Sequence, residues 1–421
     1  MKRHSKKEKK VCYRLARLLQ VLSVFCLSGV MCWWSNPAAA GNEKPLDSSL
    51  EGLEFSVTAY VDYSSGEHPL PAGEEENYND FSLTRGYFTI KKVMTDWMRM
   101  RLTTDLKQES KDPGTKLHGS YVVRTKYFYA EFLVPDVGPF TGMKAEVGLG
   151  HMPWLDFEEH NQNPYRCQGT MPIERAHVFN SADTGISLRG NLGGELEGGK
   201  EKTGNKHYNG RYGSWHVGVY NGGGYHEVEK NQNKVAEGRV SLRPLPEHLP
   251  GLQLSYLGIY GEGNVETGEV VAGTTIDEIP DYNVNLYMVS FEHPALNFNY
   301  QYFTTRGNKS GAWTDPAGDA LDTQGWSTFL RASVPSTGNR LSIFGRYDYF
   351  DIDPDNEWAE DTAYTMTTAG MSYDFSGGNM LVLAWESTDY QDDADVKGKL
   401  PVKNNELGEE EKYQAVWQIK F

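Results

Sequence analysis

The 421-residue chain has only four cysteines, and three of them, Cys12, Cys26 and Cys32, fall in its first 40 residues. Beyond that point only Cys167 remains, which excludes an intrachain disulfide there. Positive charge is scarce too: 41 Lys and Arg against 57 Asp and Glu give a formal charge of −16. A chain this acidic lacks the basic footprint of a nucleic-acid binder, so no nucleic-acid partner is expected. After residue 34 no apolar run is long enough for a transmembrane helix. No segment longer than a turn or two repeats with helical period. Catalytic signatures are missing as well: there is no His-Glu-x-x-His, paired-Cys zinc spacing, phosphate loop or Gly-x-Ser-x-Gly elbow, and the eleven His are scattered. Ser214 beside His216 is the nearest approach to a nucleophile and base, and chance proximity explains it. No catalytic residue, cofactor or metal is therefore expected.

What is present begins with a processing signal. Residues 1–17, MKRHSKKEKKVCYRLAR, carry eight Lys or Arg and one acid, and the apolar run 18–34 and the small-residue stretch SNPAAAG follow. Basic, apolar, then Ala-x-Ala is the layout of a secretory leader, with cleavage expected after Ala40. A retained membrane anchor is the alternative, but the run is barely long enough to span. Cleavage removes eight bases and one acid, taking the formal charge from −16 to −23. Residues 41–52 then form a short linker and 53–421 the folded part.

That part is rich in aromatics and glycine, with 25 Tyr, 17 Phe, 10 Trp and 44 Gly in the whole chain. Its apolar residues recur with period two. FSVTAYVDY (55–63) sets Phe55, Val57, Ala59 and Val61 against Ser56, Thr58, Tyr60 and Asp62. LNFNYQY (296–302) sets Leu296, Phe298, Tyr300 and Tyr302 against Asn297, Asn299 and Gln301. The chain closes on EKYQAVWQIKF, with Tyr413, Ala415, Trp417, Ile419 and Phe421 on one face. Connections alternate between short ones (94–96, 293–296, 335–339, 376–379) and long polar ones (107–119, 152–180, 263–280, 306–322, 352–361, 390–409). The pattern predicts an all-β fold: a closed antiparallel transmembrane β-barrel of about sixteen strands, in the outer membrane of a Gram-negative-type bacterium. Closure is compulsory in lipid, because an open edge leaves backbone groups without partners. The Gly-rich segment 191–213 breaks the alternation, being long where a short turn on the periplasmic side is expected.

Several stretches resemble the phosphate-selective porin O/P family. They are DFSLTRGYFTIKKVMTDWMRMRLTTDLKQE (80–109), AEVGLGHMPWLDFEE (145–159), DTGISLRG (183–190), VGVYNGGG (217–224) and GRVSLRPLP (238–246). The likeness runs over about 53–421 and is strongest before 250. It implies a sixteen-stranded porin, a homotrimer in outer-membrane lipid, with one loop folded into the pore and small solutes as permeants. The dense Arg and Lys series of the family's phosphate-binding members is not evident along single strands.

Strand parity places Arg85, Lys91, Arg99, Arg101, Lys144, Arg189, Arg239, Arg243, Arg331 and Arg346 on the lumen side, against Asp62, Asp105, Glu131, Glu146, Asp348 and Glu386. Ten bases against six acids predict a weak anion preference, with Arg85, Arg99 and Arg101 as an anion-guiding patch. The competing reading is that these arginines pair with Asp105, Glu131 and Glu146 across the wall. The 152–180 loop is the candidate constriction, supplying Asp156, Glu158, Glu159, Arg166 and Arg175. Asp351, Asp353 and Asp355 have calcium-loop spacing, but Pro354 and Thr362 break the pattern, so a solvated acidic loop is expected. Two functions follow: passive diffusion of small polar or anionic solutes, or a barrel that sheathes a partner, such as a surface electron-transfer protein, or acts as an adhesin.

Overall fold

The computed structural model describes residues 51–109, 116–161, 164–165, 171–271 and 273–421. The leader, most of the 41–52 linker, Arg166 and Cys167 lie outside the described residues. Sixteen strands form one closed antiparallel barrel. The first eight are β1 (Leu53–Leu70), β2 (Glu74–Thr95), β3 (Met98–Gln108), β4 (Tyr121–Leu133), β5 (Phe140–His151), β6 (Ala182–Leu192), β7 (Gly213–Tyr220) and β8 (Val235–Leu242). The second eight are β9 (Leu252–Glu262), β10 (Asp281–His293), β11 (Leu296–Arg306), β12 (Asp322–Ser333), β13 (Leu341–Asp351), β14 (Tyr364–Ser376), β15 (Asn379–Tyr390) and β16 (Glu409–Lys420). Each pairs with its sequence neighbours, and β16 closes on β1 with Ala59 opposite Ile419 and Val61 opposite Trp417. At the seam Val57 N donates to Phe421 O at 2.8 Å and Phe421 N donates to Val57 O at 3.1 Å. The closing strand expected from the period-two pattern is therefore in place, with its apolar face outward.

The alternation works because lipid sees only one face of each strand. On β11 Phe298 is 38% exposed and Asn299 1%. Aromatic contacts run along the outer surface, with Tyr300–Trp326 centroids 6.2 Å apart and Phe375–Trp417 stacked at 5.8 Å. Short connections gather at one end of the barrel, the turn end, and long ones at the other, the loop end, with two exceptions: the long 193–212 segment at the turn end and the short Pro71–Gly73 connection at the loop end.

The first hairpin is long: β1 and β2 run over 18 and 22 residues and are closed by Pro71–Gly73, so that the acidic Glu74–Glu76 stretch is strand. Its tip docks on the last long loop, through Ala72 N to Asn405 O at 2.9 Å and Gly73 N to Glu406 O at 2.7 Å. Residues 70–77 are exposed and polar or acidic for the most part, so period two is silent there.

Candidate functional site: the barrel interior

The loop between β5 and β6 carries two short helices, α1 (Leu155–Asn161) and α2 (Pro172–Arg175). It turns into the barrel because its apolar side chains find a dry wall there. Trp154, Leu155, Phe157, Met171 and Ile173 share one buried cluster with Leu257, Ile259, Val284, Leu286, Met288 and Phe303. These wall residues break the polar-lumen rule: on β10 the inward face is Tyr282, Val284, Leu286 and Met288, none more than 2% exposed. Polar clasps fix the loop further. Trp154 Nε1 donates to Glu158 Oε2 at 2.6 Å, and Gln301 Nε2 to Glu158 Oε1 at 2.9 Å. Burial pushes the Glu158 carboxyl up to about 7, against the pull of those two donors. Tyr165 stacks on Phe344 at 4.3 Å with its hydroxyl 2.7 Å from Ser372 Oγ. Arg175 forms an ion pair with Glu386 of β15 at 3.0 Å.

A second insert enters from the turn end. The 193–212 segment between β6 and β7 contains α3 (Gly199–Thr203) and folds back inside the barrel. Tyr208 donates a hydrogen bond to Asp156 Oδ2, and its ring meets Phe157 edge-on at 5.3 Å. His207 lies 3.9 Å from His160, ring centre to ring centre. Asp156 is held well below the usual carboxylate range against its own burial, chiefly by His160, His151 and Arg189 together with the Tyr208 bond.

The inserts fill the lumen beside β8–β15 and leave a cavity of about 900 Å³ along the other wall. Its lining includes Ser56, Thr58, Tyr60, Tyr87, Lys91, Arg99, Arg101, Lys126, Tyr127, Tyr129, Glu131, Lys144, His151, Asp156, Glu159, Arg189, Lys206 and Lys420. Nine of the lining residues are Lys or Arg, and four, Glu54, Glu131, Asp156 and Glu159, are acids. The charges are cross-linked. Glu131 is 3.6 Å from Arg99, 3.2 Å from Lys144 and 3.2 Å from Arg189, which also reaches Glu146 at 2.7 Å. Arg101 Nη1 meets His151 Nε2 at 3.1 Å, and its guanidinium lies 4.6 Å from the Tyr127 ring centre.

Parity and openness are different properties, and several expected lining residues separate on that ground. Arg99, Arg101, Glu131, Asp156 and Glu159 line the cavity. Arg85 points inward but is paired with Asp105 at 2.9 Å, and Asp105 is buried between it and Arg124, 2.7 Å away. Arg239, Arg243 and Arg346 are corrected: they face inward yet are buried and not open to a solute. Arg239 is 1% exposed, donates to Pro153 O at 2.9 Å and Ser241 Oγ at 2.7 Å, and lies 4.1 Å from the Phe157 ring centre. Arg243 donates to Gly210 O, and Arg346 pairs with Asp348 at 3.0 Å. Arg331 donates to Asn297 Oδ1 at 2.9 Å, away from the cavity. Glu158 and Arg175 anchor the loop from its packed side. In the acidic loop, Asp353 accepts backbone N–H groups from Glu357, Trp358 and Ala359, which holds the turn.

Sequence reasoning missed Lys126, His151, Lys206 and His207. Lys126 escapes parity because β4 shifts register opposite Thr103 and Thr104, so that Lys126 and Tyr127 are both buried toward the lumen. Parity does mark Glu237 and Glu292 as inward acids, which the ten-to-six count lacks; both are buried.

No protein-family model matches the chain, and no curated protein matches it. Solved structures do. An anion-selective porin from Comamonas acidovorans superposes with TM-score 0.57 at 12% identity, over 88% of this chain and 100% of that one. Pseudomonas putida OprB gives TM-score 0.56 at 8% identity, over 89% of this chain and 96% of its own. A trimer form of Vibrio cholerae OmpT gives 0.52 at 10% identity, over 87% and 99%. At these identities the likeness is one of fold, and the chain has the closed sixteen-stranded antiparallel fold of outer-membrane β-barrel porins.

Proposed function

We propose that the protein is a diffusion channel of a Gram-negative-type outer membrane, passing small polar solutes with a weak preference for anions. The observation that carries this reading is the one-sided cavity with nine Lys or Arg and four acids in its wall. The chain as a whole is acidic, but exposed loop charges are screened over roughly 8–10 Å at physiological salt. A charge in a narrow wall acts on every ion that passes it. In this reading the 152–180 loop is the constriction, with Asp156 and Glu159 on its aqueous side opposing Arg99 and Arg101. The solved anion-selective porin of the same fold supports the sign of the preference, and the trimer form of OmpT supports a homotrimer. The resemblance to phosphate-selective porins supports the barrel type, and phosphate itself is not singled out by the lining. The 191–213 turn, which a sheathing or adhesive role could use as a docking surface, is engaged with the barrel's own interior. No enzymatic step is assigned.

The test is the zero-current potential of the purified protein in a planar bilayer under a KCl gradient. Chloride preference is expected for the wild type, with a shift toward potassium in Arg99→Ala/Arg101→Ala. A potassium-preferring wild type, or a double mutant with unchanged selectivity, rejects the reading.

A further inference from the structure

The turn between β6 and β7 folds into the barrel and contributes to the cavity lining. We propose that this turn is a second constriction element, entering from the end opposite the 152–180 loop, and that its Lys206 is a charge-selecting residue of the passage. The proposal rests on the diffusion reading and goes beyond it.

The turn is built as a finger. Its two legs pair through Leu196 N to Asn209 O at 2.9 Å and through the Glu195–Gly210 bridge. Gly193 starts the reversal at φ +74°, and a Cβ there would sit 2.3 Å from the Tyr212 ring, so only glycine fits. The finger is then fixed inward on both sides. Asn205 Nδ2 donates to Glu292 Oε1 of β10 at 3.1 Å. Tyr208 donates to Asp156, packs on Phe157 at 5.3 Å and lies 5.1 Å from the Arg239 guanidinium. Tyr208 also holds φ +51°, a left-handed conformation that a tyrosine keeps only when its surroundings over-determine it. Between these two anchors, Lys206 and His207 are exposed to the cavity and belong to its lining. Lys206 thus differs from Arg239 and Arg243, which the inserts bury. The finger and the loop meet at three points, Asp156–Tyr208, Phe157–Tyr208 and His160–His207. The free cross-section is therefore set by both inserts together.

Because Leu196 and Asn209 are already hydrogen-bonded, residues 197–208 can be replaced by an Asn-Gly connector without moving the strands. Single-channel conductance and zero-current potential are measured for the wild type, this deletion and Lys206→Glu, each first shown to be folded by heat-modifiable electrophoresis. The deletion is expected to raise conductance by about twofold or more, because part of the lining is removed. Lys206→Glu is expected to move selectivity toward potassium. A conducting wild type matched by both variants overturns the proposal and leaves the diffusion reading standing. A closed wild type with a conducting deletion overturns passive diffusion and supports the finger as the element that closes the passage. Wild type and deletion both closed overturn the two together. If the deletion does not assemble, Lys206→Glu decides alone, and unchanged selectivity overturns the proposal.

Discussion

The two halves of the barrel wall are made of different material. Along β1–β6 the inward residues include tyrosines, lysines, arginines and a few acids; those around Glu131 are tied by ion pairs and face the cavity, while Asp105 is buried between Arg85 and Arg124. Along β8–β15 the inward residues include Leu257, Val284, Leu286, Phe303 and Phe350, packed as in a soluble core. Each fully buried Leu or Phe of that set is worth roughly 1.5–3 kcal/mol relative to exposure. The difference teaches that a barrel lumen need not be uniformly polar. One wall can serve as a mould that sets the shape of the passage while the opposite wall supplies its chemistry.

The comparison can be broken most sharply at Arg175. Its ion pair with Glu386 crosses from the loop to the mould, and both side chains are about 11% exposed. Arg175→Ala leaves Glu386 buried without its main partner, and a loss of ~3–5 kcal/mol is expected. Denaturant unfolding in lipid measures it, and Arg175→Ala/Glu386→Ala should recover a large part.

The second test uses pH. Glu158 is buried in the mould with its carboxyl raised from 4.5 to about 7. Its folded form holds the proton more tightly than the unfolded form, so its contribution is complete below pH 4.5 and is lost as pH rises through 7. The loss amounts to about 3 kcal/mol at alkaline pH. Stability between pH 5 and pH 8 should therefore fall in the wild type and lose this slope in Glu158→Gln. An equal slope in both would place the pH response elsewhere.

The third sharpens the contrast between the halves. Asn299 and Thr58 both face inward, but Asn299 is 1% exposed in the mould while Thr58 lines the cavity. Asn299→Arg should cost ~1–3 kcal/mol by forcing the packed loop aside. Thr58→Arg should stay within about 0.5 kcal/mol. Equal costs for the two would mean that the halves do not differ as described.

These contrasts also mark where the sequence was legible. Strands such as 296–302 could be read directly, because lipid demands an apolar residue at every second position and water or protein does not. The same rule gave the inward side of Arg99, Arg101 and Glu131. It could not tell an open wall from a filled one. Arg239 and Arg99 look alike by parity, and only the path of Phe157 and Tyr208 makes one buried and the other available. The fate of the 191–213 segment was hidden for a related reason. A Gly-rich polar stretch carries no periodicity, and its direction is set by single contacts, Tyr208 with Asp156 and Asn205 with Glu292.

The meeting of loop and finger also bears on the order in which the molecule is made. Asp156 and Tyr208 are 52 residues apart, whereas Tyr165–Ser372 and Arg175–Glu386 span 207 and 211. Contacts that close short stretches of chain form sooner than those that wait for distant partners. A hairpin of β5 and β6 with its two appendages can thus assemble while the sheet is still open on one side. The far wall then wraps around contents already in position, like a cask whose staves are raised about its filling. A barrel sealed first would have to admit two bulky segments through its two mouths.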